Sequence, residues 1–387
     1  MYNVLTLNKI AACGTDLMDK SKYTVADDIA DPAAILVRSA SMHEMELGSN
    51  LLAIARAGAG VNNIPIDKCS ENGIVVFNTP GANANAVKEL VLTGLFLSSR
   101  KIPAAMDWIK TLKGKGDEVS KLVEKGKSQF VGPEIAGKKL GVIGLGAIGA
   151  KVANAAAELG MEVIGADPFL SVAGALNLSP KVKYVKSNKE IFETCDYITL
   201  HVPATPETKG MISDETLSTM KKTVRILNFA RGDLVDSKAI LNALEHGGMA
   251  CYVTDFATDD LLGVDGVVAL PHLGASTPES EDNCAVMACK EIMDYLENGN
   301  ITNSVNLPNI SMVMTGDAKI CIIHKNVEGL ITSITKVAAE NKINIENMES
   351  KSKKDYAYTV LDVKGSTDGL AARLEAVDNV VSVRIIK

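Results

Sequence analysis

A short apolar run, Lys139–Ile143, leads straight into Gly144-Leu145-Gly146-Ala147-Ile148-Gly149, and the chain continues with helical spacing from Lys151 to Leu159. Strand, Gly-x-Gly-x-x-Gly and helix in that order form one mechanical unit. Gly144 permits the tight turn, Gly146 lets the backbone approach a pyrophosphate, and Gly149 lets the helix pack on the strand. The start of the helix offers free N–H groups and a partial positive charge to phosphates. An acid, Asp167, stands 18 residues beyond Gly149, at the end of a second apolar run, Val163–Ile164–Gly165–Ala166. A carboxylate there accepts hydrogen bonds from an adenosine ribose and repels a 2′-phosphate, which favours NAD over NADP. The six-residue pattern alone also occurs where helices merely pack on strands. The flanking strand, helix and acid make the dinucleotide reading the stronger one.

Such a unit needs a parallel sheet around it, and the chain supplies the strands. Beyond Leu140–Ile143 and Glu162–Ala166 come Tyr197–His201, Val224–Phe229, Cys251–Asp255 and Val267–Leu270, with helices between them such as Ser237–His246. Six strands with crossover helices make a doubly wound sheet, whose ligands lie at the carboxyl ends of the strands. Residues 1–85 repeat the pattern on a smaller scale, with candidate strands Val4–Leu7, Ala34–Val37, Leu52–Ala55 and Ile74–Phe77. A helix with an apolar face runs from Ala86 to Arg100. Lys110–Lys127, rich in lysine and glycine, reads as a surface loop or lid. A long helix, Ser280–Asn298, leaves the dinucleotide domain, and Asn303–Asn309 reads as a linker. The tail, 318–387, reads β-α-β-β-α-β, a ferredoxin-like module. The expected fold is α/β: two Rossmann-like doubly wound parallel-sheet domains plus that module. The domains are 1–85 (completed by about 280–305), 86–279 and 318–387.

Length and charge narrow the function. The 387 residues suffice for two or three domains, each with its own core. A hydrophobic share of 47% beside 22% charged residues is that of a soluble globular protein. A net charge of −7 without any basic run argues against nucleic acid or an anionic membrane as partner. Seven scattered cysteines with no C-x-x-C pair suggest a reducing compartment, and Cys284 and Cys289 read as small buried hydrophobes, with no metal site implied. Met1–Leu7 carries no signal-peptide apolar core and no run reaches transmembrane length, so a cytoplasmic location is expected.

Three segments follow strands of the dinucleotide domain where a nicotinamide would sit: Asn228–Gly232, Asp255–Asp260 and Pro271–Ser276. They bring one guanidinium, several carboxylates and one imidazole. Oxidising a 2-hydroxy acid requires such groups. A base takes the hydroxyl proton as hydride leaves the same carbon, and histidine titrates in the useful range. A planar cation holds the substrate carboxylate and the developing carbonyl oxygen. A carboxylate behind the imidazole fixes its tautomer. Taken singly, Arg231 could be a strand-end ion pair, His272 a structural histidine, and Asp259 and Asp260 a solvated turn.

These motifs resemble the D-2-hydroxyacid dehydrogenase family, and within it the phosphoglycerate dehydrogenases with a C-terminal ACT domain. The resemblance covers nearly the whole chain and rests on Val37–Ala40, Arg56–Asn63, Asn78–Asn83, the Gly144–Gly149 loop, Leu200–Pro203, Asn228–Gly232 and Pro271–Ser276. It implies that His272 transfers the proton, that Arg231 binds substrate, and that the acid paired with the histidine falls on Asp260, where relatives carry glutamate. Aspartate is one methylene shorter, and Asp259 could substitute. Gly144, Gly146, Ala147, Ile148, Gly149, Asp167, Val202, Pro203, Phe229, Asp255 and Gly274 would hold NAD. Ala147 replaces an arginine that often lies beside the pyrophosphate in relatives. Arg38, Ser39, Arg56, Gly58, Ala59 and Gly60 would hold D-3-phosphoglycerate between the domains, with Lys127 as a further phosphate cation or simply a surface charge. In the ACT-like tail, His324, Asn326 and Asn344 match the pattern seen where L-serine is the effector, although Glu328 replaces the proline usual before Gly329. The implied assembly is a homodimer or homotetramer. Two other readings stay open: a dehydrogenase for glycerate, lactate or 2-hydroxyglutarate, and a catalytically silent NAD-sensing protein.

Overall fold

Along the first strands, apolar residues alternate between two faces. Leu5, Ile35, Val37, Ile54 and Val76 lie on one side and Val4, Ala34, Leu36, Ala55 and Phe77 on the other, and both sets are buried. Strands apolar on both faces belong in a parallel sheet covered on both sides. The computed structural model, which describes residues 1–387, has that sheet. Strands β1 (Tyr2–Leu7), β2 (Tyr23–Ala26), β3 (Ala34–Val37), β4 (Ala53–Arg56) and β5 (Val75–Asn78) pair in parallel in the order β2-β1-β3-β4-β5.

The second sheet holds β6 (Lys139–Ile143), β7 (Glu162–Ala166), β8 (Val182–Tyr184), β9 (Tyr197–Leu200), β10 (Arg225–Asn228), β11 (Cys251–Thr254) and β12 (Val267–Ala269). Its order is β12-β11-β10-β9-β6-β7-β8, all parallel. Chain order reverses between β6 and β9, the crevice where ligands of such sheets bind. The third sheet is antiparallel, with β13 (Ala318–Lys325), β14 (Asn344–Lys353), β15 (Tyr356–Lys364) and β16 (Val380–Ile386) in the order β14-β15-β13-β16. Helices Leu330–Glu340 and Leu370–Glu375 cover its Ile320, Ile322, Leu361 and Val363 face.

Two compact units result: Met1–Ala82 together with Pro278–Lys387, and Asn83–Thr277. In the first unit, the other face of the C-terminal sheet (Cys321, Ile323, Tyr358, Val360) shares a core with the first sheet and the helix Pro278–Asn298. Polar bonds fasten it there. Lys319, only 2% exposed, donates to the carbonyls of Asn298 at 2.6 Å and Met312 at 2.5 Å. Tyr358 OH donates to Gly299 O at 2.6 Å, and the Arg384 guanidinium stacks over Tyr295 at 4.6 Å. No helix of the chain is long and apolar enough to cross a membrane.

Two sequence expectations need correction. Asn303–Asn309 is no free linker. The Asn306 side chain accepts from Val76 N–H at 2.9 Å and donates to Ile74 O at 2.9 Å, and Leu307 is buried. The segment thus acts as a short extra edge beside β5, with Ser304 bridged to Phe77. Lys110–Lys127 is not a loop throughout. It contains the helix Val119–Gly126, whose Val119, Leu122, Val123 and Gly126 are half-buried at helical spacing. Gly126 lies so near Trp108 that an added Cβ would sit 2.3 Å from its ring, and Trp108 packs on Phe130 with centroids 5.3 Å apart.

Candidate active site

The glycine loop divides its labour as its spacing implies. Gly144 turns with φ +91°, and a Cβ there would meet His201 O at 2.4 Å. A Cβ on Gly149 would lie 1.9 Å from Gly144 O. Around Gly146 there is nothing within 4 Å, so this glycine is spared a side chain on the outer side, where a ligand would approach. The helix Ala147–Glu158 starts here without a side-chain cap, which leaves its first N–H groups available to an anion. Ile148 is half-buried against the core behind the loop. Asp167 closes the turn: Oδ2 accepts from Leu145 N–H at 2.9 Å and Oδ1 from Phe169 N–H at 2.8 Å. Each oxygen keeps a lone pair for a ribose hydroxyl. A cavity of about 620 Å³ opens beside it, lined by Leu145, Gly146, Ala147, Lys151, Asp167 and Phe169.

Across the switch point, the His201–Val202–Pro203 turn backs the loop. His201, half-buried, is held by Thr199 Oγ1 at 2.9 Å, and desolvation pushes its imidazole down to about 3, so it is neutral and structural. Val202 packs on the core of that face, and a Cβ on Gly144 would meet Val202 Cγ1 at 2.9 Å. Pro203 O accepts from Thr208 Oγ1 at 2.6 Å.

Past β10, Asn228 organises the turn. Its Oδ1 accepts from Ala230 N–H at 3.2 Å and its Nδ2 donates to Arg231 O at 2.8 Å. Phe229 is buried behind. Arg231 is exposed; Nη1 donates to its neighbour's carbonyl, Ala230 O, at 2.7 Å, and it makes no ion pair. Past β11, Asp255 is 3% exposed, and its Oδ2 accepts from Gly274 N–H at 3.3 Å, which ties this turn to the His272 loop. Asp255 Oδ1 is buried without any partner. Burial raises the Asp255 carboxyl above its ordinary value, opposed by the nearby His272 and, more weakly, Arg231. His272 is exposed, with its ring against Phe256 at 4.9 Å between centroids.

The structure thus brings Arg231, Asp255, Gly274 and His272 together. It does not bring Asp260 to His272. Asp259–Leu261 is a 3₁₀ turn, and Asp260 Oδ1 accepts from Thr258 Oγ1 at 2.5 Å on the surface. The buried acid whose charge His272 faces is Asp255. The orphaned Asp255 Oδ1 suits a carboxamide N–H, and the uncapped helix suits a pyrophosphate, so the residues present fit a nicotinamide dinucleotide.

In the first unit, the expected cations gather past β3 and β4. Arg56 Nε donates to Arg38 O at 3.0 Å, and its guanidinium lies against Gly58, whose φ is +154°. Arg38 pairs with Glu281 at 2.6 Å. Asn8 Oδ1 accepts from the N–H groups of Ser39 at 3.0 Å and Ala40 at 2.8 Å, and Asn78 Nδ2 donates to Ala59 O at 2.6 Å. Gly60 is half-buried at the end of this loop. Lys127, in the second unit, forms an exposed ion pair with Glu124. In the C-terminal module, His324 bonds Thr359 Oγ1 at 2.9 Å and Lys325 O at 2.7 Å, Asn326 donates to Lys354 O, and Asn344 donates to Glu346. Each of the three bonds to a different partner, and no hydrogen bond joins them.

Residues 93–274 match the D-isomer specific 2-hydroxyacid dehydrogenase, NAD binding domain. The second unit is an NAD-binding domain of the D-isomer specific 2-hydroxyacid dehydrogenase family. The chain is 35% identical over 308 residues to a D-3-phosphoglycerate dehydrogenase of Methanocaldococcus jannaschii, which covers 77% of this chain and 56% of that one. It is 32% identical over 354 residues to the D-3-phosphoglycerate dehydrogenase of Bacillus subtilis, covering 86% and 64%. The chain therefore spans somewhat more than half the length of these curated relatives. Among solved structures, the NAD⁺-bound 3-phosphoglycerate dehydrogenase of Entamoeba histolytica matches with a TM-score of 0.61 and 27% identity, covering 79% of this chain and 98% of that one.

Proposed function

We propose that this chain oxidises D-3-phosphoglycerate to 3-phosphohydroxypyruvate with NAD, the entry reaction of serine formation. One observation carries the reading: Arg231, His272 and buried Asp255 meet past β10–β12 in the unit that holds the uncapped glycine loop. The names of the relatives support the substrate. NAD, when bound, supplies the acceptor for the hydride that leaves the carbinol carbon. His272 takes the hydroxyl proton as that bond breaks. Arg231 holds the substrate carboxylate and steadies the forming carbonyl oxygen. Asp255 offsets the charge His272 gains and steadies its loop through Gly274 N–H. Arg56 and the N–H groups of Gly58–Gly60 supply positive potential for the substrate's anionic groups, with Arg38 beside them.

A second reading, an unphosphorylated D-2-hydroxy acid, gains from the Arg38–Glu281 ion pair, because it leaves one cation fewer for a phosphate. A panel of D-3-phosphoglycerate, glycerate, lactate and 2-hydroxyglutarate with NAD and NADP separates the two. NADH should form fastest from phosphoglycerate, and R38A should slow that substrate far more than the others. Equal loss on all would remove the phosphate role, and NAD binding without turnover on any would leave a silent binding protein. The reading extends to a cytoplasmic homodimer or homotetramer whose ACT-like module takes L-serine. Sedimentation with and without serine tests that part; an unchanged profile and unchanged turnover would remove it.

A further inference from the structure

The helix Pro278–Asn298 buries Cys284, Ala288, Ile292 and Tyr295 in the first unit, and a carboxyl group lies in the same face. Glu291 is 7% exposed. Its Oε1 accepts from Asn303 Nδ2 at 2.8 Å, while Oε2 is buried and has no partner. Burial pushes this carboxyl up to about 8, so Oε2 carries a proton at neutral pH and no bare charge is enclosed. Charged groups on the elements around it are occupied otherwise. Lys353 donates to Ser304 O, Asp294 accepts from Asn298 and Asn300, Arg38 pairs with Glu281, and Arg56 Nε reaches Arg38 O.

From Asn303 the connection runs on. Asn303 holds a left-handed backbone, φ +60°, and its carbonyl accepts a long bond from Asn78 N–H at 3.4 Å. Asn78, the last residue of β5, reaches the next strand's loop through Nδ2 to Ala59 O at 2.6 Å. We infer that Glu291 is a positioning residue: through Asn303 and Asn78 it sets the backbone of the Arg56–Gly60 loop. Its kinetic consequence rests on the proposal that this loop binds the substrate.

The test compares E291Q, E291A and N303G in the full chain. Glutamine keeps both the acceptor for Asn303 and a neutral group at Oε2; alanine removes both; glycine at 303 keeps the left-handed turn and removes the donor. Amide exchange of residues 56–60 should quicken in E291A and N303G and stay at the wild-type rate in E291Q. KM for phosphoglycerate should rise about three- to tenfold in E291A, the worth of one hydrogen bond, with kcat within about twofold. In the wild type, KM should climb as pH passes 8, where Glu291 ionises, and E291Q should abolish that climb. Unchanged exchange in both E291A and N303G, or E291Q behaving like E291A, overturns the inference. Faster exchange with an unaltered KM sustains the hold of Glu291 on the loop and refutes the loop's substrate role.

Discussion

Gly146 and Gly149 stand three residues apart in one motif, yet the structure predicts opposite consequences for their replacement by alanine. At Gly149 the new Cβ would lie 1.9 Å from Gly144 O and 3.0 Å from its carbon. An ordinary carbon–oxygen contact is roughly 3.2–3.4 Å, so backbone must yield by more than an ångström. The Gly144 carbonyl cannot swing freely, because that residue is pinned at φ +91° against His201 O. Overpacking of this kind costs about 3 kcal/mol, the upper part of the usual range. For a unit the size of Asn83–Thr277, that lowers Tm by roughly 6–12 °C. At Gly146, φ is −69° and the space is empty, so alanine should leave Tm within about 2 °C or raise it slightly. Its methyl instead occupies the approach of the pyrophosphate and should weaken NAD binding at least about tenfold. Scanning calorimetry followed by titration calorimetry with NAD measures both quantities. A stable G149A, or a G146A that binds NAD like the wild type, would refute the division of labour drawn here.

Other outcomes follow from single polar groups. D255A should weaken NAD binding while leaving ADP-ribose, which lacks the nicotinamide, bound as before; equal losses for both ligands in titration calorimetry would place the Asp255 effect elsewhere. His201 is held near 3 against 6.5 in the unfolded chain, so the unfolded state binds the extra proton and stability falls as pH drops from 6.5 toward 3. At ~1.4 kcal/mol per unit the ceiling is ~5 kcal/mol, and urea titrations of H201Q should lose that part of the slope; parallel slopes would contradict it. K319M leaves the carbonyls of Asn298 and Met312 unpaired and should destabilise the first unit by roughly 2–4 kcal/mol in urea unfolding, against a negligible change if water replaces the ammonium.

Much of this was legible in the sequence where burial is two-sided or glycine is required. β3, β7 and β16 fall where their apolar runs place them, because no other arrangement buries Ala34–Val37 or Val163–Ala166. The edge strands β2 and β8 escaped notice: Tyr23–Ala26 and Val182–Tyr184 are short and half-exposed, so their pattern is weak. In Val119–Gly126 the abundance of lysine and glycine hid a helical stripe that packing near Trp108 makes real. Family spacing put the acid at Asp260, but side-chain direction in a tight turn is set locally, and Thr258 captures it. Glu291 left a readable trace only in register. It stands three residues after Ala288 and four before Tyr295, both buried, so a charged letter sits in an apolar stripe. The partners of Asn8, Asn78 and Asn303 were not legible, since each depends on backbone brought from a distant segment.

The most direct measurement uses D-3-phosphoglycerate carrying deuterium on the carbinol carbon, incubated with the full chain and NAD. The account predicts that NADH forms with the deuterium on its nicotinamide ring, and that H272N and R231Q each slow this by about two orders of magnitude or more while NAD still binds. Reduced cofactor without the label, or no reduction on phosphoglycerate or any other D-2-hydroxy acid despite tight NAD binding, would contradict it.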